Sequence, residues 1–296
     1  MTSTPVVAVG TDGSEPALIA VDWATEYARR HAASVRVVTG LEIPTPLPAY
    51  TAYPLPDLRE AVGEDARRTV EAAVARIQQH APEIEVTGSV VAQPPVPALL
   101  EASHHADLLV VGCRGLNEFT NLLLGSVSAA VTAHADCSVA VVRGTRAART
   151  DAPVVVGVDG SDREDATLTA AFEEAAQRKA PLVAVHAWSD VTLVATAGAA
   201  VGAWPTWDRL REEAANLVDS TLEPWRAKYP SVRVGTHVVR DRPAAALLEL
   251  GRTAQLLVVG SHGRGGFAGM RLGSVAGRLV HHADCPVLVV RHAVTA

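Results

Sequence analysis

Two glycine-rich stretches share a spacing suited to holding an anion. Gly112, Gly115, Gly125 and Ser126 are laid out as G-x2-G-x9-G-S, and Gly260, Gly263, Gly273 and Ser274 repeat it. Glycine lets backbone N–H groups close on a negative ligand. In the second copy the Gly-Ser pair precedes "VAGRLVHH", a helix-like run whose first turn exposes unpaired N–H donors. Ser274 is expected to N-cap that helix and to bind phosphate. The chemistry of a polyphosphate cradle is therefore present without the lysine of a P-loop, since GxxxxGK[ST] occurs nowhere. Gly263, Gly265 and Ala268 fit a Rossmann fingerprint poorly, because they follow the fourth strand of their half and no helix can begin directly behind them.

A second pair of segments carries a carboxylate. "VVAVGTDGS" (6–14) recurs as "VVVGVDGS" (154–161), which aligns Asp12 with Asp159. Residues 106–143 match 254–291 at 20 of 38 positions without a gap. The period is the size of an ordinary domain. The chain reads as two homologous domains, 1–143 and 154–296, joined by the polar linker 144–153.

Within each half, short apolar runs alternate with helical stretches. Strands are expected at Pro5–Val9, Val35–Thr39, Glu85–Val91, Leu108–Val111 and Val139–Val142, then at Val154–Val158, Leu182–Ala187, Arg233–Val239, Leu256–Val259 and Val287–Val290. Helices are expected near Pro16–His31, Leu58–His80, Pro97–His104 and Ser126–His134, with counterparts in the second half. Runs such as "LLVVG" suit strands covered on both faces. The prediction is an α/β fold: two tandem doubly wound parallel sheets, five strands each, in the order 3-2-1-4-5. That order makes the strand ends carrying "DGS" and the glycine loops neighbours, where such sheets bind ligands.

Formal net charge is -6 and the pI about 6.0, which provides no general basic field for nucleic acid or anionic lipid. Three scattered cysteines form neither a disulfide framework nor a CxxC site, so a cytoplasmic setting is expected. The N-terminal "MTSTPVVAVGTDGS" has no basic n-region or long apolar segment, and no run of about 18 apolar residues follows. Neither a secretory leader nor a membrane span is expected.

The block "VVGSHGRGGFAGMRLGSVAGRLVHHADCPVLVV", with "VVVGVDGS" opening its domain, resembles the universal stress protein family. The tandem length is similar to its two-domain actinobacterial and mycobacterial members. The resemblance implies an adenine nucleotide alpha hydrolase-like fold, one ATP per domain, Mg²⁺ with the nucleotide, and a homodimer that regulates stress, dormancy or growth through an unidentified protein partner. It is weakest over Leu41–Pro56 and Val191–Trp207. By position it assigns Asp12 and Asp159 to the base, ribose or metal side, beside Gly10, Thr11, Gly157 and Val158. Backbone near Leu41 and Ala187 would meet the adenine. Gly112, Cys113, Arg114 and Gly115, and Gly260, Ser261, His262 and Gly263, would take ribose and phosphates. Gly125, Ser126 and Val127, and Gly273, Ser274 and Val275, would take the phosphate tail. The halves differ between those anchors: Leu116, Asn117 and Glu118 stand in the first loop where Arg264, Gly265 and Gly266 stand in the second. A carboxylate at Glu118 opposes a triphosphate unless Mg²⁺ intervenes, so the second site is expected to bind more tightly.

Other readings compete residue by residue. Asp12, Asp159, Ser14 and Ser161 suit helix N-caps as well as ligand contacts. The two "HADC" segments read as helix ends followed by a small core cysteine rather than a metal or nucleophile site. Cys113 reads as a hydrophobic loop residue, Trp204 and Trp207 as packing or partner surface, and Arg143 and Arg291 as solvated strand ends. No nucleophile, base and orienter set emerges, so fast catalysis is not expected. A nucleotide-dependent enzyme, adenylating or a slow ATPase, stays as the alternative. A nucleotide-free scaffold would have degraded glycine loops, and these are intact in spacing.

Overall fold

A computed structural model gives the chain as two compact units, Met1–Thr145 and Arg146–Ala296. The structure describes residues 4–41, 55–113, 124–143, 151–161, 164–188, 207–263 and 271–291. The first unit runs β1 (Val6–Gly10), α1 (Glu15–His31), β2 (Ser34–Gly40), α2 (Leu55–His80), β3 (Val86–Val91), α3 (Pro95–Ser103), β4 (Leu108–Gly112), α4 (Ser126–His134) and β5 (Ser138–Val142). The second repeats it with β6 (Val154–Gly157), α5 (Glu164–Arg178), β7 (Leu182–Trp188), α6 (Trp207–Lys228), β8 (Val234–Arg240), α7 (Pro243–Gly251), β9 (Leu256–Gly260), α8 (Ser274–His282) and β10 (Val287–Val290).

All strand pairings within each unit are parallel, in the order β3-β2-β1-β4-β5 and β8-β7-β6-β9-β10. Register is fixed by apolar runs that fill both faces: Val7 pairs with Val35 and with Leu108, and all three are buried. The equivalent trio, Val154, Leu182 and Leu256, is buried completely. Helices α1 and α2 contact each other, as do α3 and α4, so each sheet lies between two helical layers. The winding reverses between β1 and β4, and again between β6 and β9. Ligand crevices of doubly wound sheets open at such points.

The sequence reading of α2 begins at Leu58 whereas the helix begins at Leu55, and α3 begins at Pro95 rather than Pro97. Proline is tolerated in a helix's first turn, where its missing N–H would have had no partner, so "PPVP" opens the helix instead of delaying it. Residues 144–150 of the expected linker, 42–54, 189–206 and Trp204 lie outside the described residues. Trp207 starts α6.

Candidate functional site

The turn after the first strand of each unit is built the same way around an aspartate. Ser14 N–H donates to Asp12 Oδ1 at 3.0 Å, and Ser161 N–H to Asp159 Oδ1 at 2.9 Å. Gly13 and Gly160 sit at φ 78° and 70°, a backbone that side chains disfavour, which explains the repeated Asp-Gly. Of the expected caps, Ser14 caps α1 through Oγ, which accepts from Ala17 N–H at 3.4 Å. The second strand steadies each turn from behind. Thr39 Oγ1 donates to Thr11 O at 2.7 Å, and in the second unit His186, buried, donates from Nδ1 to Val158 O at 2.9 Å.

The glycine loops are pinned by equivalent bonds. Cys113 N–H donates to Val142 O and Ser261 N–H to Val290 O, each at 2.9 Å, extending the sheet one residue past β4 and β9. At the far end Gly125 N–H donates to Cys113 O at 2.8 Å, and Gly273 N–H to Ser261 O at 2.7 Å. Each loop therefore leaves its strand and returns to the same point before α4 or α8 begins. Those helices are capped by Gly125 and Gly273, not by the serines: Ser274 and Ser126 are the first helical residues, and neither cap has a side-chain bond. Glycine fits because its Cβ position is crowded by backbone; on Gly273 it would lie 3.2 Å from Ser261 O. With no side-chain oxygen at the cap, the first turn keeps its N–H groups and positive dipole end for something else.

Turn and loop meet in the second unit. A Cβ on Gly263 would lie 2.5 Å from Asp159 Oδ2, so the carboxylate rests against the bare backbone of the loop. Asp159, Gly263, Ser261 and Gly273, assigned to the site by the resemblance, are thus brought together past the carboxyl ends of β6 and β9. Other glycines have a different purpose. Gly10 and Gly157 give room to Leu99 and Leu247 of α3 and α7, and Gly112 to the Pro16 carbonyl of α1, whose oxygen lies 2.6 Å from the Cβ position. Their missing side chains serve packing, while their backbones form the carboxyl ends of β1, β6 and β4. Leu41 N–H bonds Val91 O just past β2, and Ala187 is the last residue but one of β7. Val127 and Val275 lie in the first turns of α4 and α8. Arg114, Gly115, Leu116, Asn117, Glu118, Arg264, Gly265 and Gly266 fall outside the described residues.

Two further residues bear on the site, and sequence reasoning missed both. Arg291 is not merely a solvated end: its Nη1 donates to Arg271 O at 3.0 Å, anchoring the exit of the glycine loop to the end of β10. Glu164, only 7% exposed, accepts the N–H groups of both Asp159 and Gly160 on Oε1. Burial first, and then hydrogen bonding with the Asp159 side chain, push its carboxyl up to about 7. The signal was available: buried residues Glu164, Thr167, Leu168 and Ala171 form one helical stripe, with a glutamate where the first unit has Ala17.

The cysteines behave as core residues. Cys113 and Cys285 are buried, and burial pushes the thiols of Cys137 and Cys285 up to about 12. His134 Nδ1 bonds Ala130 O inside its own helix, at the basic C-terminal turn. Among the described residues, no group of three or more His, Cys, Asp or Glu side chains could hold a metal.

Fold and site define a tandem of doubly wound α/β domains, each with an aspartate turn after its first strand and a glycine-capped helix after its fourth. The model of the universal stress protein family matches residues 5–143 and again 152–291, and the chain belongs to that family. Universal stress protein Rv2623 of Mycobacterium tuberculosis is 38% identical over 302 residues, covering 98% of this chain and 97% of its own. Rv2005c of the same organism is 38% identical over 294 residues, covering 96% of each. Among solved structures, a universal stress protein from Archaeoglobus fulgidus superposes with a TM-score of 0.73 at 20% identity, covering 98% of this chain and 99% of that one. That likeness concerns the fold. No helix of the described residues is long and apolar enough to cross a membrane.

Proposed function

We propose that each domain binds an adenine nucleotide, ATP in the first instance, and that the protein acts as a regulator or sensor in stress, dormancy or growth control. The observation that carries this reading is duplicated at the carboxyl ends of β1 and β4 and of β6 and β9: an aspartate turn after one strand, and after its neighbour a helix N-terminus whose glycine cap has no side-chain bond. A polyphosphate suits those donors, and in the second unit the Gly263 backbone leaves no side chain to obstruct it. Mg²⁺ would arrive with the phosphates, since the described side chains offer no cluster to hold it alone. Binding rather than turnover is the proposed activity, because among the described residues no nucleophile activated by a base stands at these strand ends. Cytoplasmic residence, a homodimer and a protein partner complete the proposal, the first supported by three free cysteines.

The test is chemical analysis of whatever small molecule the purified protein releases on denaturation, alongside its melting temperature with and without ATP. Adenine nucleotide at one to two per chain, or a clear upward shift with ATP, supports the reading. Absence of both overturns it.

A further inference from the structure

The two domains hold their aspartate turns by different chemistry. In the first, the turn glycine gives its N–H to Thr11 Oγ1 at 3.2 Å. In the second, Val158 stands at that position and has no hydroxyl, and the Gly160 N–H goes instead to Glu164, which replaces Ala17. Two substitutions thus exchange one acceptor for another. The replacement is a buried carboxyl rather than a hydroxyl, and it takes the Asp159 N–H as well. Its other oxygen, Oε2, is buried and has no hydrogen-bond partner among the described residues.

We propose that Glu164 is the positioning residue of the second nucleotide site: by accepting both backbone N–H groups on one buried oxygen, it fixes the Asp159–Gly160 turn and so the carboxylate that rests against Gly263. The inference rests on the nucleotide reading above. One carboxyl oxygen has lone pairs for both donors, and two buried backbone N–H groups left without an acceptor would each be costly. The surroundings leave this role to Glu164. His186 is engaged with Val158 O, and the charged side chains of α6 whose burial is described are exposed apart from Arg226, which pairs with Asp219. Strands β6, β9 and β10 contribute no charged residue, and His262 lies against Ser261 Oγ at 3.2 Å.

The test follows the Asp159, Gly160 and Gly13 backbone amides of the full chain by ¹H–¹⁵N spectroscopy, with ATP as the probe. Glu164→Ala should expose the Asp159 and Gly160 amides to fast hydrogen exchange and weaken ATP at the second domain by about tenfold, the scale of one buried donor left without its acceptor. The Gly13 curve should not move, which also shows that the variant is folded. Glu164→Gln, whose amide oxygen can accept the same two bonds, should stay within about threefold of the parent, and Val158→Thr added to Glu164→Ala should recover much of the loss by restoring the first domain's acceptor. Fast exchange in the parent, an ATP curve unchanged by Glu164→Ala, or a glutamine variant as weak as the alanine one overturns the role of Glu164. An absence of ATP-dependent shifts at both Gly13 and Gly160 overturns the nucleotide reading itself, and this inference with it.

Discussion

The Asp159 carboxylate lies directly against Gly263, its Oδ2 2.5 Å from where a Cβ would stand. This contact joins the turn after β6 to the loop after β9 and accounts for a glycine that recurs at Gly115 in the first half. Asp159 cannot swing aside freely, because its Oδ1 holds the Ser161 N–H. Gly263→Ala is therefore expected to push the aspartate or the loop out of place. Calorimetric titration with ATP should show the second site weakened at least about tenfold and the first unchanged, the scale expected when a side chain intrudes on a built pocket. Equal affinity at both sites in the variant and the parent would separate this contact from binding.

Glu164 gives the second domain a distinctive pH dependence. Its folded-state carboxyl is raised to about 7 from an ordinary 4.5, so between those values the native state holds a proton the unfolded chain has released. Its stabilising contribution is complete below 4.5 and is lost as pH rises through 7. With the residue only 7% exposed, the swing is on the order of 3 kcal/mol. Urea unfolding from pH 5 to 8 should show the second domain weakening with pH, and Glu164→Gln should flatten that slope. A parent slope matched by the glutamine variant counts against it.

Much of the fold was legible because buried parallel strands are written as unbroken apolar runs. "LLVV" at 108–111 and 256–259 could hardly be placed elsewhere, and every strand boundary agrees to within a residue. The positions of Asp159 and the glycine loop followed from the repeat. What escaped was geometry that depends on close approach. Gly-Ser before a helix reads as a serine cap, yet backbone crowding at Gly273 shifts the cap back by one. Gly10 and Gly157 have a packing reason that the sequence does not show: Leu99 and Leu247 occupy the space their side chains would need. Arg291 looks like a solvated strand end, but its Nη1 donates to the Arg271 carbonyl.

The buried ion pair of α5 is a stability element the first domain solves without charge. Glu174 Oε2 meets Arg178 Nε at 2.7 Å with side chains 2% and 6% exposed, and Arg178 Nη1 also donates to Gln255 at the start of β9. The equivalent first-unit residues, Tyr27 and His31, stack with ring centroids 4.1 Å apart. Removing one partner strands the other charge in the interior, so Glu174→Ala should cost about 3–5 kcal/mol. Replacing both residues with apolar side chains of similar volume should cost far less. Denaturant midpoints of the single and double variants decide it, and a harmless Glu174→Ala would show that water reaches Arg178.

Both first helices end on a non-glycine residue in the left-handed region: Ala32 at φ 49° and Lys179 at φ 52°. The geometry is a helix-terminating one, with Ala33 N–H reaching back to Ala28 O and Ala180 N–H to Ala175 O, each at 2.9 Å. A side chain costs about 1–2 kcal/mol in that conformation, and glycine avoids the clash while adding some unfolded-state entropy. Lys179 is exposed, so little packing is lost by trimming it. Lys179→Gly is expected to stabilise the second domain by about 0.5–1 kcal/mol, whereas Lys179→Ala, which keeps the Cβ, should change it little. Urea midpoints of the two variants provide the comparison: a gain with alanine as large as that with glycine would assign the effect to the lysine charge instead of the backbone.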